Sequence, residues 1–158
     1  MNRKILVISI VVLILDQVSK GVIDIFLKLG ESIPLINNFF NLYYIHNYGA
    51  AWGIFENNTI LLISLTIVAL IIIYRYMYLF TRNKRNDIAF GLLTGGIVGN
   101  LIDRILFGYV RDFFDFYIFG YDFPIFNVSD IAIVSGIFLL VIAIFKGEDE
   151  NGKNSSKK

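Results

Sequence analysis

Two aspartates at the ends of a short aromatic stretch could carry acid–base chemistry in this chain of 158 residues. Asp112 lies in the segment VRDFFDF, and Asp130 lies in the segment FNVSD. Two carboxyl groups that approach closely can share one proton, because like charges at short range cannot both ionise. Such a pair performs the chemistry of an aspartic protease, with one ionised base and one protonated acid. The fold must bring the two residues together for this chemistry to occur.

The composition is that of a membrane protein. Hydrophobic residues make up 56% of the chain, and charged residues make up 17%, below the roughly 25% typical of soluble domains. A net charge of +1 argues against a nucleic-acid partner. The chain has no cysteine, which excludes disulfides and thiol nucleophiles, and its single histidine, His46, cannot form a two-histidine metal site.

Four apolar segments are long enough to cross a bilayer, for which about 20 residues are needed. They cover about residues 5–27, 59–80, 88–107 and 129–145. The hydrophilic segment 147–158 is rich in Gly, Asn and Ser, and we expect it to be a disordered tail. The prediction is therefore an all-α membrane protein with four transmembrane helices in one domain, residues 1–146.

The positions of lysine and arginine predict the orientation. Basic residues lie before the first span, between the second and third spans, and in the tail. They are Arg3, Lys4, Arg82, Lys84, Arg85, Lys146, Lys153, Lys157 and Lys158. The other two connections, about 28–58 and 108–128, contain only Lys28 and Arg111. By the positive-inside rule both termini are cytoplasmic, and these two connections face outward. Their aromatic, turn-containing segments predict a small β-sheet on the outer leaflet.

Most of the polar groups that are costly to bury in lipid lie at the same depth, the predicted outer edge of the membrane. The outer half of span one, the end of span three, the start of span four and the outward connections supply them. These residues are Asp16, Lys20, Asn47, Asn100, Asp103, Arg104, Asp112, Asn127 and Asp130. An ionisable residue at the membrane indicates a functional site by default, because burying a charge in lipid is costly.

Several of these groups also have a structural interpretation. Asp16 and Lys20 are four residues apart on one helix, and Asp103 is followed by Arg104, so each pair could be an ion pair that only holds the bundle together. The glycines at positions 91, 95 and 99 form a ladder of small residues that predicts close helix packing.

Residue spacing leaves the choice of loop carboxylate open. Asp130 lies in the first turn of a helix, where an acid also favours the helix dipole. Asp112 could be a simple loop charge beside Arg111, and Asp115 and Asp122 compete with it for the same role. We interpret His46 as a polar loop residue rather than a catalyst.

Five fragments in order carry a resemblance over nearly the whole chain apart from the tail. They are DQVSK from Asp16, NYGAAWG from Asn47, GNLIDR from Gly99, VRDF from Val110 and FNVSD from Phe126. Together they resemble the lipoprotein signal peptidases, or signal peptidase II. The resemblance implies that Asp112 and Asp130 form the catalytic dyad. Arg111, in the variable position of the VxDF motif, is a minor departure.

The resemblance further implies a bacterial aspartic endopeptidase of the cytoplasmic membrane, with its active site at the extracytoplasmic face. Its substrates would be prolipoproteins, cut before a diacylglyceryl-modified cysteine, and its other partners would be membrane lipids and cyclic peptide inhibitors of the globomycin type. No metal or organic cofactor is implied. The residues implied to bind substrate or to support the dyad are Asp16, Lys20, Asn47, Gly49, Asn100, Asp103, Arg104 and Asn127.

Two other classes of protein share some of these features. A small proton-coupled transporter with four spans could use Asp16 and Asp103 as a proton relay. It should carry polar groups at mid-depth in other spans, and spans two and four have almost none. A serine/lysine peptidase would need a facing pair, but Ser19 and Lys20 are adjacent and point apart on a helix.

Overall fold

The computed structural model describes residues 2–49, 55–56 and 58–149. Within these ranges the chain forms four α-helices, each long and apolar enough to cross a membrane, which confirms that expectation. They are α1 (Arg3–Phe26), α2 (Thr59–Tyr76), α3 (Lys84–Phe107) and α4 (Val128–Phe145). Residues 50–53 of the NYGAAWG fragment lie outside the described residues, as do residues 150–158, which form most of the predicted tail.

An asparagine precedes each helix and caps its N-terminus. The side-chain oxygen of each accepts a hydrogen bond from a backbone N–H of the first turn, which otherwise has no partner within the helix. The caps are Asn2, Asn58, Asn83 and Asn127. Because of its cap and its polar first turn, α3 begins at Lys84, before the predicted start at residue 88.

The second helix is shorter than its apolar run. We predicted a span to residue 80, but α2 ends at Tyr76, and the backbone N–H of Leu79 bonds to the carbonyl oxygen of Tyr76 in a turn. Hydropathy reports apolar content and not helical conformation, so our prediction placed the end of this helix too far along the chain.

The segment beyond α4 contacts the start of α3. The Glu148 carboxylate accepts hydrogen bonds from the side chains of Asn83 at 2.6 Å and Asn86 at 3.0 Å.

The third helix lies between α1 and α4, and its glycines allow the three backbones to approach closely. A Cβ atom at Gly95 would lie 2.7 Å from the carbonyl oxygen of Ser9 on α1. A Cβ atom at Gly96 would overlap the carbonyl oxygen of Ser129 on α4. The glycines of α3 therefore serve close packing, as predicted.

The long connections form an antiparallel sheet in the order β1-β2-β3-β4 over the described residues. The strands are β1 (Ser32–Ile36), β2 (Phe40–Asn47), β3 (Val110–Ile118) and β4 (Tyr121–Asp122). The sheet packs on the end of α1 around a buried apolar cluster formed by Ile23, Leu27, Tyr44 and Phe113. The expectation of a small sheet is confirmed.

The turn between α3 and β3 and the register of the sheet bring Asp112 close to the start of α4. Gly108 ends α3 with a φ of +83°, a left-handed conformation that glycine adopts without steric cost. In the β2–β3 ladder, Ile45 is opposite Asp112 and Asn47 is opposite Val110. A bridge between Phe114 and Phe126 then holds the segment before α4 against β3.

Candidate active site

A cavity of about 750 Å³ opens beside β2, β3 and the first half of α4. Six of the predicted site residues line it: Asn47, Gly49, Asn100, Arg104, Asp112 and Asp130. The other four, Asp16, Lys20, Asp103 and Asn127, are fully buried. Lys20 and Asn127 donate hydrogen bonds to lining residues from behind, and Asp16 and Asp103 form ion pairs with Lys20. The fold thus brings all ten predicted residues to one region.

Asp112 is 1% exposed, and both of its carboxylate oxygens accept hydrogen bonds. The side-chain nitrogen of Asn127 donates to Oδ1 at 2.6 Å, and that of Asn47 donates to Oδ2 at 2.8 Å. Burial raises the pKa of Asp112, and the negative charge of Asp130 raises it further. Asp112 therefore retains a proton at pH values at which an exposed aspartate is ionised.

Asp130 is part of a capping box at the start of α4. Its Oδ2 accepts the backbone N–H of Asn127 at 3.1 Å, and Asn127 Oδ1 accepts the backbone N–H of Asp130 at 3.0 Å. Asp130 therefore does stabilise the first turn of α4, the structural role that we considered for it. Its other oxygen, Oδ1, accepts a hydrogen bond from Asn100 at 2.8 Å, and the residue also lines the cavity.

Asn127 contacts both aspartates. Its side chain donates to Asp112 at 2.6 Å, and its backbone N–H donates to Asp130 at 3.1 Å. The same side chain also donates to Asn100 Oδ1 at 3.1 Å, and Asn100 in turn donates to Asp130. Two amides therefore hold the two carboxyl groups at one wall of the cavity.

A buried lysine links this amide pair to α1. Lys20 Nζ lies 2.9 Å from Asp16 Oδ2 and 3.2 Å from Asp103 Oδ2, and it donates to Asn100 Oδ1 at 3.0 Å. The side chains of both ion pairs are 0% exposed. Asp16 also accepts the backbone N–H of Ser129 at 2.9 Å, which joins α1 to the start of α4. The predicted Asp16–Lys20 pair is present.

The predicted pair of Asp103 with Arg104 is wrong. Asp103 instead pairs with Lys20 and Arg111, whereas Arg104 Nη2 donates to the carbonyl oxygen of Gly49 at 3.0 Å. Consecutive residues on a helix point about 100° apart. Asp103 therefore faces α1 and β3, while Arg104 faces the cavity.

The competing loop carboxylates lie away from the cavity lining. Asp115 is buried, and it accepts a hydrogen bond from Asn41 at 2.8 Å across the β2–β3 ladder. Asp122 lies on the exposed strand β4. Of the three carboxylates that spacing left open, only Asp112 lines the cavity with Asp130.

His46 lies in strand β2 rather than in a loop, and the residue lines the cavity. The ring stacks on Tyr109 with 3.6 Å between centroids, and Nε2 lies 3.0 Å from the Tyr44 hydroxyl. Burial lowers the pKa of His46. In the part of the chain that the structure describes, no three acidic or histidine side chains are grouped to hold a metal ion.

Sequence reasoning missed three polar residues of the surrounding network. Arg111 Nη1 donates to Asp24 at 2.6 Å, and Arg111 Nη2 donates to Gln17 at 3.2 Å. A signal for Asp24 was available, because residues 16, 20 and 24 repeat every four positions along one face of α1. The sequence carried no comparable signal for Gln17, or for the pairing of Arg111 with residues of α1.

The comparisons with known proteins agree with one another. Residues 8–146 match the sequence model of the family described as signal peptidase (SPase) II. The lipoprotein signal peptidase of Staphylococcus aureus is 40% identical over 154 residues, which cover 97% of this chain and 94% of that protein. The protein of that name from strain Newman has the same identity and coverage.

Two solved structures have the same fold. Each is described as a bacterial membrane enzyme determined by the in meso method. Each gives a TM-score of 0.81 at 40% identity over 90% of this chain, and the match covers 87% of one solved chain and 92% of the other. With the family match over most of the chain, they lead to one conclusion: the chain belongs to the signal peptidase II family.

Proposed function

We propose that this protein is a membrane aspartic endopeptidase that removes signal peptides from bacterial prolipoproteins. It cuts before the cysteine that carries a diacylglyceryl group. Family membership supports the substrate class, and it does not support the alternative of a proton-coupled transporter. The aspartic mechanism rests on one observation: Asp112 and Asp130 border the same cavity and both contact Asn127.

In the proposed mechanism the two carboxyl groups hold one proton between them. The ionised carboxylate accepts a proton from a water molecule, whose oxygen attacks the scissile carbonyl carbon. The protonated carboxyl group donates a hydrogen bond to the carbonyl oxygen, on which negative charge develops. When the C–N bond breaks, the leaving amine takes up the proton that the base removed from water.

The surrounding polar residues take two roles in this proposal. Asn100 and Asn127 orient the dyad, supported from behind by the buried Asp16, Lys20 and Asp103. On the cavity wall, Asn47, Gly49 and Arg104 present polar groups to the substrate backbone. Orientation of this kind lowers the barrier, because the reacting groups are then held close to the reactive geometry.

The cavity also has an apolar wall that suits a lipid-modified substrate. Ile131, Val134 and Phe126 line it on the side of α4. In the proposal the acyl chains remain in the bilayer while the peptide extends to Asp112 and Asp130. The same cavity would take cyclic peptide inhibitors of the globomycin type.

A pair of substrates tests this proposal. The purified protein is incubated in detergent micelles with a peptide that contains a signal sequence and a diacylglyceryl-cysteine. The control peptide has the same sequence with an unmodified cysteine. We expect mass spectrometry to find cleavage on the N-terminal side of the modified cysteine and much slower cleavage of the control. Equal cleavage of both peptides, or a cut elsewhere, would contradict the proposed specificity.

We further propose that both termini are cytoplasmic and that the sheet and the cavity lie at the outer face. The bias of Lys and Arg toward one set of connections supports this orientation. The chain has no cysteine, so an introduced cysteine is the only thiol. In intact cells we expect an impermeant thiol reagent to label Asp122→Cys but not Lys84→Cys. Labelling both after permeabilisation is the control, and labelling Lys84→Cys in intact cells would refute the orientation.

A further inference from the structure

Arg111 lies beside Asp112 on β3, and its buried side chain joins three elements. Its Nε and Nη2 atoms donate to the two oxygens of Asp103 on α3 at 3.2 and 2.7 Å. Its Nη1 atom donates to Asp24 on α1 at 2.6 Å. Even its backbone N–H donates to Asp103, at 3.1 Å. The guanidinium group also lies over the ring of Phe107, 4.7 Å from its centroid.

Asp24 also accepts a hydrogen bond from strand β2 of the sheet. The Tyr44 hydroxyl on β2 donates to Asp24 Oδ1 at 2.5 Å, while Arg111 binds the other oxygen, Oδ2. The Asp24 carboxylate on α1 therefore binds both central strands of the sheet, β2 and β3. Arg111 is bound on both sides, to α3 through Asp103 and to α1 through Asp24. We refer to Arg111, Asp24 and Asp103 as the β3 clamp.

Arg111 and Asp112 have different partners, because successive side chains of a strand point to opposite sides. The Arg111 side chain reaches α1 and α3, while that of Asp112 reaches Asn47 and Asn127 at the cavity. Whatever Arg111 contributes to the position of Asp112 must therefore pass through the backbone. Adjacent Cα atoms are about 3.8 Å apart in a rigid peptide unit, so a fixed residue 111 restricts residue 112.

We propose that Arg111 is a positioning residue for Asp112. The β3 clamp holds the start of β3 against α1 and α3, and thereby keeps the Asp112 carboxyl group within reach of Asn47, Asn127 and the cavity. This inference rests on the proposed role of Asp112 in catalysis. It gives a function to the residue at the variable position of the VxDF motif.

The clamp should affect the chemical step more than substrate binding. Arg111 does not line the cavity, so its loss removes no contact with the substrate. A misplacement of about 1 Å at a reacting group can cost on the order of 100-fold in rate. We therefore expect Arg111→Met to lower kcat by about 10-fold to 100-fold, with KM changed by less than about 2-fold.

Arg111→Lys tests the geometry of the clamp. A lysine keeps the charge but cannot bind a carboxylate through two parallel hydrogen bonds. We expect its kcat to lie between those of Arg111→Met and the unchanged protein. Lys28→Met is the matched control, since Lys28 is exposed four residues after Asp24, just beyond the end of α1, and its loss should leave kcat and KM unchanged.

A double-mutant cycle tests whether Asp24 acts through Arg111. Asp24→Asn should lower kcat in the unchanged protein but have no further effect in Arg111→Met, because both changes release the same contact. Additive effects on kcat, or full kcat in a folded Arg111→Met protein, would overturn the proposal. If Arg111→Met does not fold, the Arg111→Lys and Asp24→Asn variants test the proposal instead. Full kcat in both of these variants would overturn it.

Asp112→Asn in the same assay separates this inference from the proposed function. If Asp112→Asn still cleaves the substrate, the proposed dyad fails, and with it any role in positioning Asp112. If Asp112→Asn is inactive while Arg111→Met keeps full kcat, the dyad stands and the clamp is wrong. Both proposals are supported if Asp112→Asn and Arg111→Met each lower kcat and Arg111→Lys restores part of it.

Discussion

Replacing Asp112 or Asp130 with asparagine should reduce cleavage by several orders of magnitude while the protein stays folded. An amide has nearly the size of a carboxyl group, but it cannot ionise or exchange a proton with its partner at these pH values. The pair would then lack either its base or its acid. Cleavage of a diacylglyceryl-cysteine peptide by each purified variant measures the effect, and thermal unfolding checks the fold.

Two other aspartates serve as controls for this experiment. Asp115 is buried on the same strand three residues beyond Asp112, and Asp122 is exposed on β4. Neither lines the cavity, so Asp115→Asn and Asp122→Asn should cleave at close to the unchanged rate. Substantial turnover by Asp112→Asn or Asp130→Asn would remove that residue from the mechanism. Inactivity of a folded Asp115→Asn protein would show that we chose the wrong carboxylate.

Loss of Lys20 should have the largest effect on stability. Lys20→Met removes the cation between two carboxylates that are 0% exposed. Asp103 keeps Arg111, but Asp16 is left with only neutral hydrogen-bond donors. Removing one partner of a buried ion pair costs roughly 3–5 kcal/mol of stability, because the remaining charge is desolvated and uncompensated. The free energy of unfolding in detergent should fall by about this amount.

A second substitution separates the stability of the bundle from its activity. In Lys20→Met with Asp16→Asn the uncompensated charge is gone, while the amide oxygen can still accept the Ser129 N–H. We expect part of the stability to return. Cleavage should stay low, because Asn100 has lost the donor that orients it toward Asp130.

The exposed Lys28, just beyond the end of α1, again supplies the control, and we expect Lys28→Met to keep full stability. A Lys20→Met protein with normal stability would show that Lys20 does not neutralise Asp16. Recovery of normal cleavage in the double variant would mean that the pair only holds the bundle together.

The four helices were predictable because their cause is local. A segment in lipid must satisfy its backbone polar groups internally, so a long apolar run forms a helix whatever surrounds it. The boundaries were less predictable. Asn83 caps α3 before its apolar run begins, and α2 ends at Tyr76 although apolar residues continue to Phe80.

The choice among Asp112, Asp115 and Asp122 depends on the register of β3 against β2. Register is set by pairing between strands more than 60 residues apart in this chain, and a slip by one residue moves each side chain to the other face. Spacing alone therefore left three candidates, and only the resemblance to signal peptidase II selected one. In the structure the register brings Asp112 to the cavity, opposite Ile45.

Local sequence did determine which segments are helices, that their polar residues gather toward one end of the bundle, and that Asp16 faces Lys20 one turn away. Only the tertiary structure decided which charges become partners across elements. Asp103 binds Lys20 and Arg111 rather than its neighbour Arg104, and Arg111 binds Asp24 from 87 positions away. Helical spacing defines partners within one helix. Partners on different elements depend on which faces the packing of α1, α3 and β3 brings together.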